Sequence, residues 1–281
     1  MKIAKVKNHL QVDAPAKINQ VLLVGGRRKD GYHHIRSLFR AVSLFDRLRF
    51  TPASSGFSLQ SSGYLVPTDR SNLIIRALLA LQAELKIKTG LNVFLKKNIP
   101  LGAGLGGGSS DAAAALWAGW IFWKKPRLDF PFFPTEVPAT LLKVGARLGA
   151  DIPFFLGCPS ACVEGKGEKI TPLQGLDRQF LVLVYPRVPV PTKEAYAWLD
   201  ASRVAAAQFA EAANSFDPVV SSRVKVIAKV RAALRQAGAS PVLLSGSGSA
   251  VFGIVNNRRQ GAAVIKKLKK YPWDSFAAHT L

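Results

Sequence analysis

The residues from Pro100 to Ser110 read Pro-Leu-Gly-Ala-Gly-Leu-Gly-Gly-Gly-Ser-Ser, with five glycines in seven positions. Glycine frees the backbone to take positive φ and lets a ligand approach the chain closely. The run leads into an apolar stretch with helical character. A helix start adds free N–H groups and the positive end of its dipole, so an anion is favoured there. Ser109 and Ser110 add hydroxyl donors. Phosphate is the guest this chemistry suits.

Other glycine loops fit less well. Gly102, Gly104 and Gly107 satisfy G-x-G-x-x-G, but a dinucleotide site also wants an acidic residue about 20 positions on, at a strand end. Asp129 lies near that distance within a proline-rich connection. A Walker loop needs Gly-Lys-Ser/Thr, and no lysine follows these glycines. A protein-kinase loop sits between two strands, whereas this one runs into a helix. A glycine turn used only for close packing is the plain alternative.

The elements that must position this loop follow from pattern. Gln11 to Val24 reads as an early strand. Gly25-Gly26 and Asp30-Gly31 mark a turn after it. Leu48 to Thr51 and Gly56 to Leu59 read as short strands. The spacing predicts a helix over Asn72 to Leu85, with Ser71 as N-cap. Leu91 to Lys97 is a strand that enters the loop, and Ser110 to Trp123 is the helix that leaves it. Lys124 to Pro138 is a connection, Thr140 to Leu148 a helix, and Gly165 to Thr171 a turn out of the first domain. Phe180 to Tyr185, Val242 to Leu244 and Val251 to Val255 read as strands. Lys193 to Leu199, Arg223 to Gln236 and Gly261 to Lys269 read as helices. Mixed helices and strands in both halves give an α/β or α+β class.

Composition sets outer limits. The 281 residues are 48% hydrophobic, enough for a packed core. The longest uncharged apolar run, Ala112 to Trp123, is shorter than the ~20 residues of a membrane span. No apolar stretch follows the lysines of Met1 to Leu10, so no signal peptide is expected. Cys158 and Cys162 lack a second pair and nearby histidines, which argues against zinc and for two reduced thiols in the cytoplasm. The net charge of +22 allows three readings: a nucleic-acid surface, attraction of anionic small molecules, or general surface adaptation. The basic residues fall in short clusters such as Arg27-Arg28-Lys29, Lys96-Lys97 and Lys266 to Lys270, without interleaved aromatics that would stack bases. A specific nucleic-acid partner is therefore not expected.

Two more segments complete a pattern. Ala14-Pro-Ala-Lys-Ile-Asn19 stands upstream of the loop, and Leu244-Ser-Gly-Ser-Gly-Ser-Ala-Val-Phe-Gly253 stands near the C-terminus. The three together resemble the ordered signature of the GHMP kinase superfamily over nearly the whole chain. Asp30-Gly-Tyr-His33, Gly-Gly-Gly-Ser-Ser-Asp-Ala-Ala and Leu148-Gly-Ala-Asp-Ile-Pro-Phe154 resemble one family within it, the 4-diphosphocytidyl-2-C-methyl-D-erythritol kinases. Gln20 departs from that pattern, where an apolar residue is usual, and the surface is more basic than typical.

The resemblance implies a two-domain α+β fold. An N-terminal ribosomal-protein-like α/β domain would span 1–170, and a C-terminal ferredoxin-like α+β domain 171–281, with the active site in the cleft. It implies ATP-dependent phosphorylation of the 2-hydroxyl of a cytidine-diphosphate polyol in the non-mevalonate isoprenoid pathway, with Mg²⁺. It makes Pro100, Leu101, Gly102, Ala103, Gly104, Leu105, Gly106, Gly107, Gly108, Ser109 and Ser110 the ATP loop. Asp151 becomes the residue that handles the acceptor hydroxyl and Lys17 its charge partner. Tyr32 and His33 are the cytidine-binding pair, Tyr196 the second aromatic, and Asn19 a polar group near the polyol. Gly246 to Ser249 is either support for the phosphate region or a tight structural turn. A monomer or weak homodimer with no membrane partner is expected. Another superfamily kinase, of homoserine or mevalonate type, is the nearest alternative; a basic nucleic-acid binder on a related fold is the next.

Overall fold

The computed structural model describes residues 1–125, 133, 136–202 and 214–281. Asp129 and most of the proline-rich connection lie outside the described residues. The chain forms two compact units that interleave along the sequence. The first holds Met1–Ala16, Leu44–Ile99 and Gly106–Pro159; the second holds Lys17–Ser43, Pro100–Leu105 and Ser160–Leu281.

Strands β1 (Lys2–Val6), β2 (His9–Arg27), β3 (His33–Ala53), β4 (Phe57–Gly63) and β5 (Gly90–Lys97) follow the order β1-β2-β3-β5-β4. β1, β4, β5, the start of β2 and the end of β3 belong to the first unit, and β2 from Lys17 and β3 up to Ser43 to the second. β1 pairs antiparallel to the first residues of β2, and β5 pairs antiparallel to Arg47–Ala53 of β3 and parallel to β4. Helices α1 (Leu73–Leu85), α2 (Gly107–Lys124), α3 (Ala139–Leu148) and α4 (Ile152–Gly157) pack on one another. α2 is apolar nearly all round, with Ala112 to Ala118 buried, as a helix enclosed by neighbours must be. Its alanines and Gly119 keep it slim; a Cβ at Gly119 would sit 3.1 Å from Leu81. The Trp117 indole N–H is satisfied by the Leu156 carbonyl at 3.0 Å.

In the second unit, Ile35–Arg40 of β3 pairs antiparallel with β6 (Ser160–Gly165), which pairs with β7 (Lys169–Pro172). A separate antiparallel sheet runs in the order β11-β8-β10-β9, built from β8 (Phe180–Tyr185), β9 (Val242–Leu244), β10 (Val251–Val255) and β11 (Asp274–His279). Helices α5 (Thr192–Ala201), α6 (Asp217–Arg223), α7 (Val226–Ala237) and α8 (Arg258–Leu268) complete it. Val182, Val184, Val230, Leu234, Val251 and Val264 form the centre of its core. Mainly antiparallel sheets with grouped helices make the class α+β, as the resemblance implied. No helix among the described residues is long and apolar enough to cross a membrane.

Several local expectations change. β2 continues through Gly25 and Gly26 to Arg27, because the extended backbone there admits glycine and a partner strand alongside it. Leu48 to Thr51 is only the end of a 21-residue strand. The α1 N-cap is Asn72, whose side chain accepts from the Ile74 N–H at 2.9 Å, not Ser71, which instead bonds Asp69. α2 begins at Gly107, inside the glycine run, since positive φ at Gly106 closes the loop before the serines. Gly165 to Thr171 is the β6–β7 hairpin rather than a plain turn. α4, α6 and β11 are short or weakly patterned and were not expected.

Candidate active site

The glycine loop is divided between the units, and each half has its own support. In the second unit, Gly102 and Gly104 both take positive φ. A Cβ on Gly104 would lie 2.2 Å from the Ser245 carbonyl oxygen, and one on Gly102 would lie 2.9 Å from Pro189. Only glycine fits that approach. The contact is hydrogen-bonded: the Ser245 hydroxyl donates to the Gly104 carbonyl at 3.1 Å, and the Ala250 N–H donates to Ala103 at 3.1 Å. The Val190 N–H donates to Gly102 at 3.0 Å. The turn from Gly246 to Ser249 thus belongs to the structure under the loop. Asn214 steadies that turn, donating to the carbonyls of Leu244 and Gly246, each at 2.9 Å. Asn214 was not expected, and Ser245 stood within the C-terminal motif without a role of its own; both act on backbone oxygens, which a sequence does not display.

Lys17 lies on β2 beside this half. Its backbone N–H donates to Leu105 at 2.9 Å. The side chain is only 5% exposed. Its ammonium is 2.6 Å from Asn19 Oδ1 and 4.3 Å from the Phe39 ring centroid. An exposed strand lysine would make neither contact. Asn19 in turn donates to Ser37 Oγ at 2.8 Å, so its amide is fixed with the oxygen toward Lys17. Gln20, the departure from the family pattern, has a local partner in Gln179 at 2.5 Å.

In the first unit, the remaining glycines open α2. Ser110 is fully buried, and its hydroxyl has no hydrogen-bond partner among the described residues. A Cβ at Gly149 would lie 4.0 Å from Ser109 Oγ, so the turn that carries Asp151 runs beside the start of α2. Asp151 is the half-buried N-cap residue of α4, and its side chain makes no capping bond there.

Beneath α2 sits a cluster that sequence reasoning missed. Lys97, counted there with Lys96 in a surface cluster, is 3% exposed. Its ammonium contacts Asp46 Oδ2 and, at 2.6 Å, Asp111 Oδ2. Asp46 also accepts from the N–H groups of Asn98 and Ile99, at 2.6 and 2.8 Å. Burial pushes the Asp111 carboxyl up to about 8, with Lys97 opposing and Asp46 adding to the rise. Burial lowers the Lys97 ammonium, but the carboxylates of Asp111 and Asp46 outweigh it and leave it raised.

The residues expected on the acceptor side lie in the second unit. Tyr32 is 58% exposed, with the Lys166 ammonium 4.9 Å above its ring. His33 is buried and stacks on Tyr196, centroids 4.9 Å apart at 23°. Its Nε2 is 2.7 Å from Asp200 Oδ1 on α5, a partner invisible without the fold. His34 is exposed. Cys158 and Cys162 are both free thiols.

The chain resembles known proteins over nearly its whole length. The model for the GHMP kinases N terminal domain matches residues 72–157, and that for the GHMP kinases C terminal matches 198–272. A 4-diphosphocytidyl-2-C-methyl-D-erythritol kinase of Thermodesulfovibrio yellowstonii is 36% identical, covering 93% of this chain and 95% of its own. The protein of that name from Chlorobaculum tepidum is 39% identical over 89% and 90%. A crystal structure of 4-(cytidine 5'-diphospho)-2C-methyl-D-erythritol kinase superposes with a TM-score of 0.81 at 32% identity, covering 96% of this chain and 98% of that one. Near-full-length likeness in sequence and fold, together with the glycine loop and the buried lysine bonded to it, has one meaning: the chain belongs to the 4-diphosphocytidyl-2-C-methyl-D-erythritol kinases of the GHMP kinase family.

Proposed function

We propose that this kinase transfers the γ-phosphoryl group of ATP to the 2-hydroxyl of 4-diphosphocytidyl-2-C-methyl-D-erythritol. The observation that carries the reading is that each half of one glycine loop has a candidate catalytic residue beside it. Lys17 is hydrogen-bonded through its backbone to Leu105, and the turn bearing Asp151 runs beside Ser109.

Phosphoryl transfer needs alignment and charge neutralisation more than covalent help from the protein. The N–H groups opening α2 at Gly107 to Ser109, with the glycine loop before them and the α2 dipole, hold the polyphosphate, while Ser110 offers its hydroxyl because its N–H donates to Gly106. Lys17, its ammonium steadied by Asn19 and Phe39, offsets charge on the transferred group. Asp151 orients the acceptor hydroxyl and takes its proton as the P–O bond forms. Mg²⁺ fits the site's chemistry: Ser110 offers a buried hydroxyl oxygen without a partner among the described residues. No group of three or more His, Cys, Asp or Glu that could hold a metal occurs among them. That suits a cation held mainly by phosphate oxygens and water, which when bound neutralises the polyphosphate. Tyr32, His33 and Tyr196 receive the cytidine, and Asn19 the polyol.

The family models fall on either side of residue 170, which supports domains of 1–170 and 171–281. Action on a small molecule in the cytoplasm, as a monomer or weak homodimer, completes the reading.

The test is ADP release with the cytidyl polyol, homoserine and mevalonate offered in parallel. Turnover confined to the cytidyl polyol is expected; equal turnover with mevalonate would overturn the substrate assignment. Asp151→Asn should lower kcat by about 10²-fold, on the scale of positioned acid–base groups, and leave ATP binding intact. A rate near wild type removes Asp151 from the chemistry.

A further inference from the structure

We propose that Asp46, Lys97 and Asp111 form a positioning element for the nucleotide's phosphates, a buried bridge that fixes both ends of the glycine loop's first-unit frame. The proposal rests on the phosphate-binding role assigned above to the start of α2.

The geometry sets out the bridge. Asp46 on β3 grips two consecutive N–H groups, those of Asn98 and Ile99, where β5 gives way to the loop. Through its other oxygen it meets the Lys97 ammonium. That ammonium reaches Asp111, the fifth residue of α2. The strand that enters the loop and the helix that leaves it are therefore joined by side chains as well as by the loop. Gly107 rests directly on the bridge: a Cβ there would lie 3.0 Å from Lys97 Nζ and 2.9 Å from Ile99 Cγ2. The first turn of α2 presents its N–H groups from that seat.

Stability alone gives no reason for such a construction. Three ionisable side chains with exposures of 4% or less are costly to bury, and an apolar trio of similar volume holds two elements together as well or better. What ions provide is direction. Each bond here has a fixed partner and length, so the helix start cannot slide along the strand end. Asp111 Oδ1 has no hydrogen-bond partner among the described residues, and neither has the adjacent Ser110 hydroxyl. The frame is thus incompletely satisfied on the side of the first turn, where a bound anion with its waters supplies what is missing.

The specific consequence concerns which substrate feels the bridge. The residues assigned to the acceptor's cytidine and polyol, Asn19, Tyr32, His33 and Tyr196, belong to the second unit, while all three members of the bridge belong to the first. Cutting the bridge should weaken ATP and spare the acceptor.

Asp111→Ala cuts it while leaving Lys97 neutralised by Asp46. ATP KM should rise about tenfold, the scale of ~1.4 kcal/mol, with acceptor KM and kcat changed by less than about threefold on the same scale. Asp111→Asn keeps an oxygen for Lys97 and should restore ATP KM to within about threefold of wild type. Thermal unfolding is followed in both variants and in Lys97→Met/Asp111→Asn, which lacks the bridge but leaves Asp46 as the one carboxyl of the two that Lys97→Met strands. That double variant should recover stability relative to Lys97→Met and still show a raised ATP KM. A KM that follows stability instead, or equal rises for ATP and acceptor, would overturn the proposal. Wild-type enzyme inactive on the cytidyl polyol but active on another alcohol would overturn the substrate assignment and leave the bridge testable with that alcohol.

Discussion

The two halves of the glycine loop are held by opposite means. Pro100 to Leu105 is seated on neutral groups: backbone of Ala103 and Gly104 against backbone and hydroxyl of Ser245 and Ala250. Gly106 to Ser110 is seated on the buried Asp46–Lys97–Asp111 cluster of ionisable groups. The neutral seat tolerates no extra atom but is indifferent to charge. The ionic seat has its own geometric demand at Gly107, and its energy depends on protonation. One glycine loop therefore combines a support limited by size with a support limited by charge.

The sharpest way to separate them is Gly104→Ala. Its methyl group has no room beside the Ser245 carbonyl, and the positive φ disfavours any side chain. kcat/KM should fall by about 10²-fold or more, a scale at which small displacements already cost rate, and should fall equally at every pH where the enzyme is folded. A mild loss, or one that varies with pH, would break the contrast.

The charge side is read from stability against pH. The Asp111 carboxyl is raised from the ordinary carboxylate range to about 8 in the folded protein. Between these limits the folded state holds a proton that the unfolded chain has released. Its contribution is complete at low pH and is lost as pH climbs to about 8. Tm should decline over that window by several degrees more in wild type than in Asp111→Asn, the shift that about 1 kcal/mol produces. Parallel curves for the two would show that the carboxyl does not carry the proton.

Smaller effects refine the picture. Tyr32→Ala should raise acceptor KM by about tenfold, a stacking-sized loss, with ATP KM nearly unchanged, because Tyr32 is an exposed residue of the second unit. Ser245→Ala removes one hydroxyl bond to Gly104 and should cost about 1 kcal/mol, read as a modest drop in Tm with the loop's backbone contacts intact.

The amino-acid sequence determined the loop, because five glycines followed by serines and a helix are a local arrangement whose chemistry needs no distant partner. It likewise marked the main strands from Phe180 and Val251, which are short unbroken apolar runs, while Lys17 stood out through the motif's resemblance to the family. It did not reveal α4 or β11, since six-residue elements hold too few turns or alternations for a period to show. Tertiary structure alone decided that Lys97 is a core ion and not a surface charge. Its partners are 51 and 14 positions away, and nothing local distinguishes it from the lysine beside it. It also chose Asp200 for His33 across 167 positions. A backbone pattern is written in neighbours along the chain, whereas the worth of a buried charge is set by whichever groups folding brings within a few ångströms of it.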